Sequence, residues 1–528
     1  MKQRWIAVVL LLCIVLTGCD QLADIFGTKD SLTFDEMIYA RPSIEEFDRQ
    51  LKLCNQYIEE SSYIGNIVEC INAIYTLYDD FYTNYSLADI RYSCDLTDTY
   101  WQAESAYCAE ISNQVEAKLE ELYRMLAQSS YRRKLEEDEY FGEGFFLPYV
   151  GEQMWDADYT ALAEQEVALQ NRYYALCADA TDVEPYSEAF YLQYGEQFAQ
   201  ILVELIAVRQ QLAKELGYED YVQMQYYGVY DRDYSPQEAE KYMQAIGSAL
   251  APLYKDIYFD TLWQYSGVPS TEAQTFAFVK QTAEGLGGEV LRAFEKMEQR
   301  KLYDISYSEN KYQGAFTVFL TGYGVPFIFT CPWLEMTDRL EFVHEFGHFT
   351  NDFICRGSWA STDVAEIQSQ GMEYMSLLFA NDSKLTDYKM ADSLEVYVEQ
   401  SAFALFEQEI YGLTGDDLTA ENVTAIYTRI CSEFGIDQGQ WDPYSYVAVS
   451  HFYTNPMYMI SYVVSNDLAL QFYQMELQEA GSGQEKYLQA LESEEYYIRQ
   501  FALDYGLKDP FSVKRVQEVA QFFQSQFK

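Results

Sequence analysis

The sequence predicts a mainly α-helical fold with one short β element. Three observations carry this prediction. Long stretches place apolar residues at steps of three and four, prolines number only 11 in 528 residues, and a single stretch, residues 314–330, is rich in β-branched and aromatic side chains. The length is well beyond one hydrophobic core and predicts several domains or one large composite fold.

Taken in order, the chain opens with Lys2 and Arg4 before an apolar run, Trp5–Leu16, that closes on Leu16-Thr17-Gly18-Cys19. A charged start, a short apolar segment and small residues before a cleavage point predict an export signal over residues 1–18, since the run is too short to span a bilayer comfortably. The L-T-G-C ending resembles a bacterial lipobox. That resemblance implies cleavage before Cys19, acylation of Cys19, and an extracytoplasmic protein anchored by lipid to a bacterial membrane. Residues 19–42 follow as a tether.

Ser43-Ile44-Glu45-Glu46, after Pro42, reads as a capping box and starts an N-terminal helical region over residues 43–234, with Phe47, Leu51 and Tyr57 at helical intervals. Within it, Val115, Leu119, Leu122 and Leu126 form one core stripe and Phe198, Leu202, Leu205 and Leu212 another. A second capping box, Ser235-Pro236-Gln237-Glu238, follows the turn-like Asp231-Arg232-Asp233 and sets a soft boundary, leaving residues 235–528 as the region that holds every histidine. Residues 314–330 read as a hairpin turning at Gly322-Tyr323-Gly324.

Lys and Arg total 35 against 84 Asp and Glu, a formal net charge of −49, so nucleic acid is excluded as a partner and a solvated acidic surface is expected. Eight cysteines follow Cys19, and an even count in an exported chain permits disulfides. The local pairs Cys54 with Cys70 and Cys94 with Cys108 are the first expectation.

The chemistry centres on Val343-His344-Glu345-Phe346-Gly347-His348-Phe349. His344 and His348 lie about one helical turn apart, so both imidazoles project from one face and can share a metal ion, with Glu345 beside them. The same pattern also fits a polar patch on an amphipathic helix. A catalytic zinc usually takes three protein ligands and keeps one position for water. Glu366, 18 residues after His348 on a second helix that starts at capping residues Ser361 and Thr362, is the chosen third ligand. Asp363 and Glu373 compete on roughly the same face, Glu373 as a partner that orients the ligands. The hairpin just upstream offers a strand edge that could pair with an extended peptide, or it is a small structural sheet.

These residues resemble the zinc oligopeptidase family of thimet oligopeptidase and oligoendopeptidase F. The likeness rests on F-V-H-E-F-G-H-F and on D-V-A-E-I-Q-S-Q-G-M-E-Y, with Ser369 and Glu373 in register behind Glu366. Lys311 to Phe316 (K-x-x-G-A-F), Pro326 to Phe329 and E-L-G-Y-E-D-Y at residues 215–221 also look like family features, and the likeness runs from about Glu215 to Phe522. His451-Phe452-Tyr453 with Tyr458 and Tyr462 resembles the family's H-F-Y segment.

The resemblance implies a two-lobed helical fold with a deep channel and a small β-hairpin beside the HExxH helix. It implies one zinc held by His344, His348 and Glu366, with Glu345 as general base and the oxyanion stabilised by Tyr462 and His451, Tyr458 being the less definite donor. Short peptides cut internally are the implied substrates. An HExxH metallocarboxypeptidase and a lipid-anchored peptide-binding protein that does not hydrolyse are the alternatives. Two departures stand out: Asn351 replaces a histidine common in the family, and the spacing from His451 to Tyr458 is one residue longer.

Overall fold

The structure, a computed structural model, describes residues 31–137, 141–150, 157–180, 183, 187–265, 267–357, 360–436 and 443–527. The leader, Cys19 and the tether up to residue 30 lie outside the described residues. The fold is mainly helical with one three-stranded sheet, as the sequence predicts. Among the described residues no helix is long and apolar enough to cross a membrane. The chain divides into two compact units, each built from two separate stretches: residues 1–154 with 269–358, and residues 155–268 with 359–528. Ser235 falls inside the second unit.

In the first unit, helices Ile44–Glu59, Ile64–Cys94 and Thr99–Gln128 pack around one core. Phe47 and Leu51, then Ile67, Ile71 and Ile74, then the predicted stripe Val115, Leu119, Leu122 and Leu126 meet there. Each such buried side chain contributes about 1.5–3 kcal/mol by leaving water. Ile44–Glu59 starts where the sequence places it, with Ser43 in extended backbone, but the Ser43 side chain accepts no capping bond. Its expected partner Glu46 is drawn instead to Arg49 and Gln50 on the next turn.

The expected disulfides are not formed: all eight cysteines after Cys19 are free thiols. Cys94 closes one helix and donates to Asp304 at 3.2 Å, while Cys108 lies in the third turn of the next helix beside the Tyr39 hydroxyl at 3.8 Å. Nine residues of helix separate Cys108 from the start of its helix, about 14 Å of rise, which carries it away from Cys94. Cys54 and Cys70 share the core, where burial pushes the Cys54 thiol up to about 12 and keeps it protonated and inert.

The hairpin forms as predicted: β2 (Ala315–Leu320) and β3 (Val325–Thr330) are antiparallel, joined through Gly324 in the left-handed region at φ 59°. A further strand, β1 (Tyr303–Asp304), pairs parallel to β3, giving the order β1-β3-β2. Two residues are too few to show alternation, so β1 carries no readable sequence pattern. Lys311 is buried and its Nζ reaches Asp304 Oδ1 at 2.9 Å and the carbonyls of Ser306 and Thr330 at 2.8 Å, which ties the loop before β2 to the end of β3.

The second unit packs helix Pro236–Tyr265 along Ser383–Ile410, and Thr362–Ala380 along Met459–Gln478. Here the second capping box is complete, since Ser235 N–H donates to Glu238 Oε2 at 3.0 Å and Glu238 N–H to Ser235 Oγ at 3.2 Å. The stripe Phe198, Leu202, Leu205 and Leu212 is buried on helix Glu188–Glu215. That helix also carries Arg209, whose guanidinium is wholly buried.

Candidate active site

Within the first unit, helix Asp338–Cys355 presents His344, Glu345 and His348. Its start is anchored by the Asp338 carboxylate, which accepts the N–H groups of Trp333 at 3.0 Å and Glu335 at 2.8 Å. The imidazole rings of His344 and His348 have centroids 5.1 Å apart and stand at 80° to each other, so the one-turn spacing does place them as neighbours. Both sheet strands β2 and β3 pack on this helix. Thr317 of β2 brings its Oγ1 to 2.7 Å from Glu345 Oε2 and 3.0 Å from the Glu345 carbonyl. The sequence reading missed Thr317. Its hydroxyl faces the helix because residues alternate along a strand, which is the signal that could have found it.

One turn before Glu345, Glu341 is pushed up to about 7, first by burial and then by the carboxylates of Asp338 and Glu345, against the opposing effect of His344. Asn351 is buried, and its amide lies 3.5 Å from Cys355 Sγ one turn further along the same helix. β2 has a strand on one side only among the described residues, consistent with the edge that the sequence suggested.

Within the second unit, helix Thr362–Ala380 carries the three competing carboxylates, and their partners separate them. Asp363 Oδ1 accepts from Ser461 Oγ at 2.5 Å and lies 3.5 Å from Arg232 Nε. Glu373 is paired with the buried Lys389 ammonium at 2.6 Å. Both are neutralised by buried cations and fixed inside the unit. Glu366 is oriented by neutral donors, accepting from Ser369 Oγ at 3.0 Å on Oε2 and from Tyr458 OH at 2.8 Å on Oε1. A carboxylate steered by hydroxyls keeps its charge for a metal, which makes Glu366 the best ligand of the three.

His451, Tyr458 and Tyr462 gather around this carboxylate's partner. The His451 ring lies 5.2 Å from that of Tyr458 and 6.2 Å from that of Tyr462, and the two phenol rings are 5.0 Å apart. Burial lowers the pKa of His451, against the raising effect of Glu366. The Tyr458 phenol is pushed far up by burial and then by Glu366, so it stays a donor. Two imidazoles on one helix face and a buried, hydroxyl-oriented carboxylate are donor types that fit zinc.

Residues 34–147 match the Peptidase M3 N-terminal domain family. No curated protein sequence matches the chain. Among solved structures it is similar to PZ peptidase A with an inhibitor, at TM-score 0.79 and 21% identity over 93% of this chain and 98% of that one. It is also similar to a protein from Bacillus anthracis str. Ames assigned as an oligoendopeptidase F, at TM-score 0.75 and 19% identity over 94% of this chain and 98% of that one. Oligoendopeptidase-F from Enterococcus faecium follows at TM-score 0.55 and 14% identity, covering 91% and 96%. At these identities the structural likeness establishes the fold.

Proposed function

We propose that the chain is a zinc-dependent peptidase of the M3 oligopeptidase type that cuts short peptides internally, outside the cytoplasm, anchored by lipid at Cys19. The observation that carries the reading is the one helix that sets His344 beside His348 with Glu345 next in sequence, and Thr317 bonded to the Glu345 carboxylate. The family match over residues 34–147 and the fold support it.

Zinc held by His344, His348 and Glu366 would polarise a peptide carbonyl and make water a nucleophile at neutral pH. Glu345 takes the proton from the attacking water and delivers it to the leaving amine. Thr317 holds Glu345 Oε2, so the carboxylate keeps one orientation and no reorganisation is needed at the moment of proton transfer. His451, neutral because it is buried, and Tyr462 donate hydrogen bonds where negative charge develops on the carbonyl oxygen. Tyr458 holds Oε1 of Glu366 and so fixes the direction of the ligand.

Incubating the purified chain with a set of defined peptides, with and without a chelator, and reading product masses tests this. Pairs of multi-residue fragments that vanish with the chelator and return with zinc are expected. Stepwise loss of single C-terminal residues, or cleavage that a chelator leaves intact, would overturn it. Incorporation of labelled fatty acid in the expressing cell, lost in Cys19→Ser, tests the anchor.

A further inference from the structure

Between His451 and Tyr458 the chain makes a one-turn helix, His451–Thr454, and then bends before helix Met459–Gln478. The bend turns on Met457, which is buried and has φ 66°, a left-handed conformation that a long side chain disfavours. Such a residue persists only where its surroundings over-determine it. Both peptide groups of Met457 are held by buried ionisable side chains from distant parts of the chain. Its N–H donates to Glu407 Oε1 at 2.8 Å, and its carbonyl accepts from Arg232 at 2.9 Å.

The grip is built from separate elements. Glu407 comes from helix Ser383–Ile410 and is fully buried, and its Oε2 has no hydrogen-bond partner. Burial pushes its carboxyl up to about 8, against the Met457 N–H and the arginines Arg209 and Arg232, so at neutral pH it is largely a neutral acceptor. Arg232 spans three groups, since the same nitrogen that holds the Met457 carbonyl also reaches Ser461 Oγ at 2.8 Å while its Nε faces Asp363. Its guanidinium lies over the Tyr230 ring at 4.3 Å, and Tyr230 in turn donates to the Pro456 carbonyl at 3.2 Å and meets the Tyr458 ring edge-on.

We infer that Arg232 and Glu407 are positioning residues for the reaction: by locking Met457 they set the angle at which the Tyr458 phenol meets Glu366. This rests on the peptidase reading above. No contact of either residue with a reacting atom is needed. Their influence runs through one bent backbone unit into the hydrogen bond from Tyr458 to Glu366, and misplacing such a group by about 1 Å costs on the order of a hundredfold in rate.

The test uses the zinc-loaded chain and a peptide it cleaves, with Glu407→Leu, Glu407→Gln and Arg232→Lys. Glu407→Leu removes the acceptor and is expected to lower kcat about 10- to 100-fold with KM within about threefold. Glu407→Gln keeps an acceptor oxygen and is expected to stay within about threefold of wild type. Arg232→Lys keeps the charge but has no planar fork to reach Met457 and Ser461 through one nitrogen while a second faces Asp363, and an intermediate loss of kcat is expected. Amide exchange of the peptide spanning 452–458, read by mass spectrometry, should quicken in Glu407→Leu and stay slow in Glu407→Gln. Wild-type kcat and exchange in Glu407→Leu, or equal losses in the leucine and glutamine variants, would overturn the inference. If Glu407→Leu does not fold, wild-type kcat in Arg232→Lys overturns it alone. A wild-type chain that cuts no peptide would sink the peptidase reading, and the exchange measurement would still decide whether Met457 is locked.

Discussion

The HExxH helix and the bend from His451 to Tyr462 both carry side chains for the proposed chemistry, and they obtain their geometry from different sources. In Asp338–Cys355 a regular helix does the placing: one turn sets His344 beside His348, and the backbone hydrogen bonds that fix this are internal to the segment. In the bend, regular structure is limited to the single turn His451–Thr454 and the start of helix Met459–Gln478, and tertiary contacts place the residues between them. Arg209 donates to the carbonyls of Phe452 at 3.1 Å and Tyr453 at 2.5 Å, while Arg232 and Glu407 hold Met457. The first arrangement tolerates change elsewhere in the chain. The second depends on buried ionisable side chains that lie far away in sequence.

That contrast can be broken or sharpened by substitution. The largest effect is expected at Glu366→Ala, which should lose zinc and with it all hydrolysis; full metal occupancy by elemental analysis would return the choice to Asp363 or Glu373. Next comes Arg209→Met, which leaves Glu166 and three oxygen acceptors without their cation. Arg209 is wholly buried while Glu166 is part-exposed, so the loss falls mainly on the buried acceptors and should cost about 2 kcal/mol in denaturant unfolding; an unchanged midpoint would show that the bend holds itself. Thr317→Val keeps the shape of the strand but removes the hydroxyl on Glu345; kcat should fall about tenfold at constant KM, because the loss is of orientation alone.

Stability should also depend on pH. Glu407 titrates at about 8 in the folded chain against an ordinary 4.5, so the folded form binds a proton that the unfolded chain releases. Its contribution is complete below about 4.5 and is lost as pH rises to about 8, so Tm should fall by a few degrees across that window. In Glu407→Gln the fall should be shallower, and an identical slope would assign it to other groups.

The comparison also explains what the sequence revealed. Helical stripes such as Val115, Leu119, Leu122 and Leu126 are periodic and local, so they could be read directly, and so could the hairpin flanking Gly322-Tyr323-Gly324. The histidine pair is legible for the same reason. Choosing Glu366 over Asp363 and Glu373 on physical grounds required seeing Arg232 and Lys389 neutralise the other two carboxylates. Thr317, Arg209, Arg232 and Glu407 have no local pattern at all: each acts on a residue at least 28 positions away. Met457 at φ 66° is where the bend takes its left-handed step, and no local pattern announces it.

Hydrolysis by Glu345→Gln, measured alongside its zinc content, separates the base from the ligands. One zinc per chain, as in wild type, is expected with peptide cleavage reduced by about a thousandfold, because the ligands are intact and only the proton acceptor is gone. Fully zinc-loaded Glu345→Gln that cleaves peptide at the wild-type rate would contradict the role of Glu345 as the base.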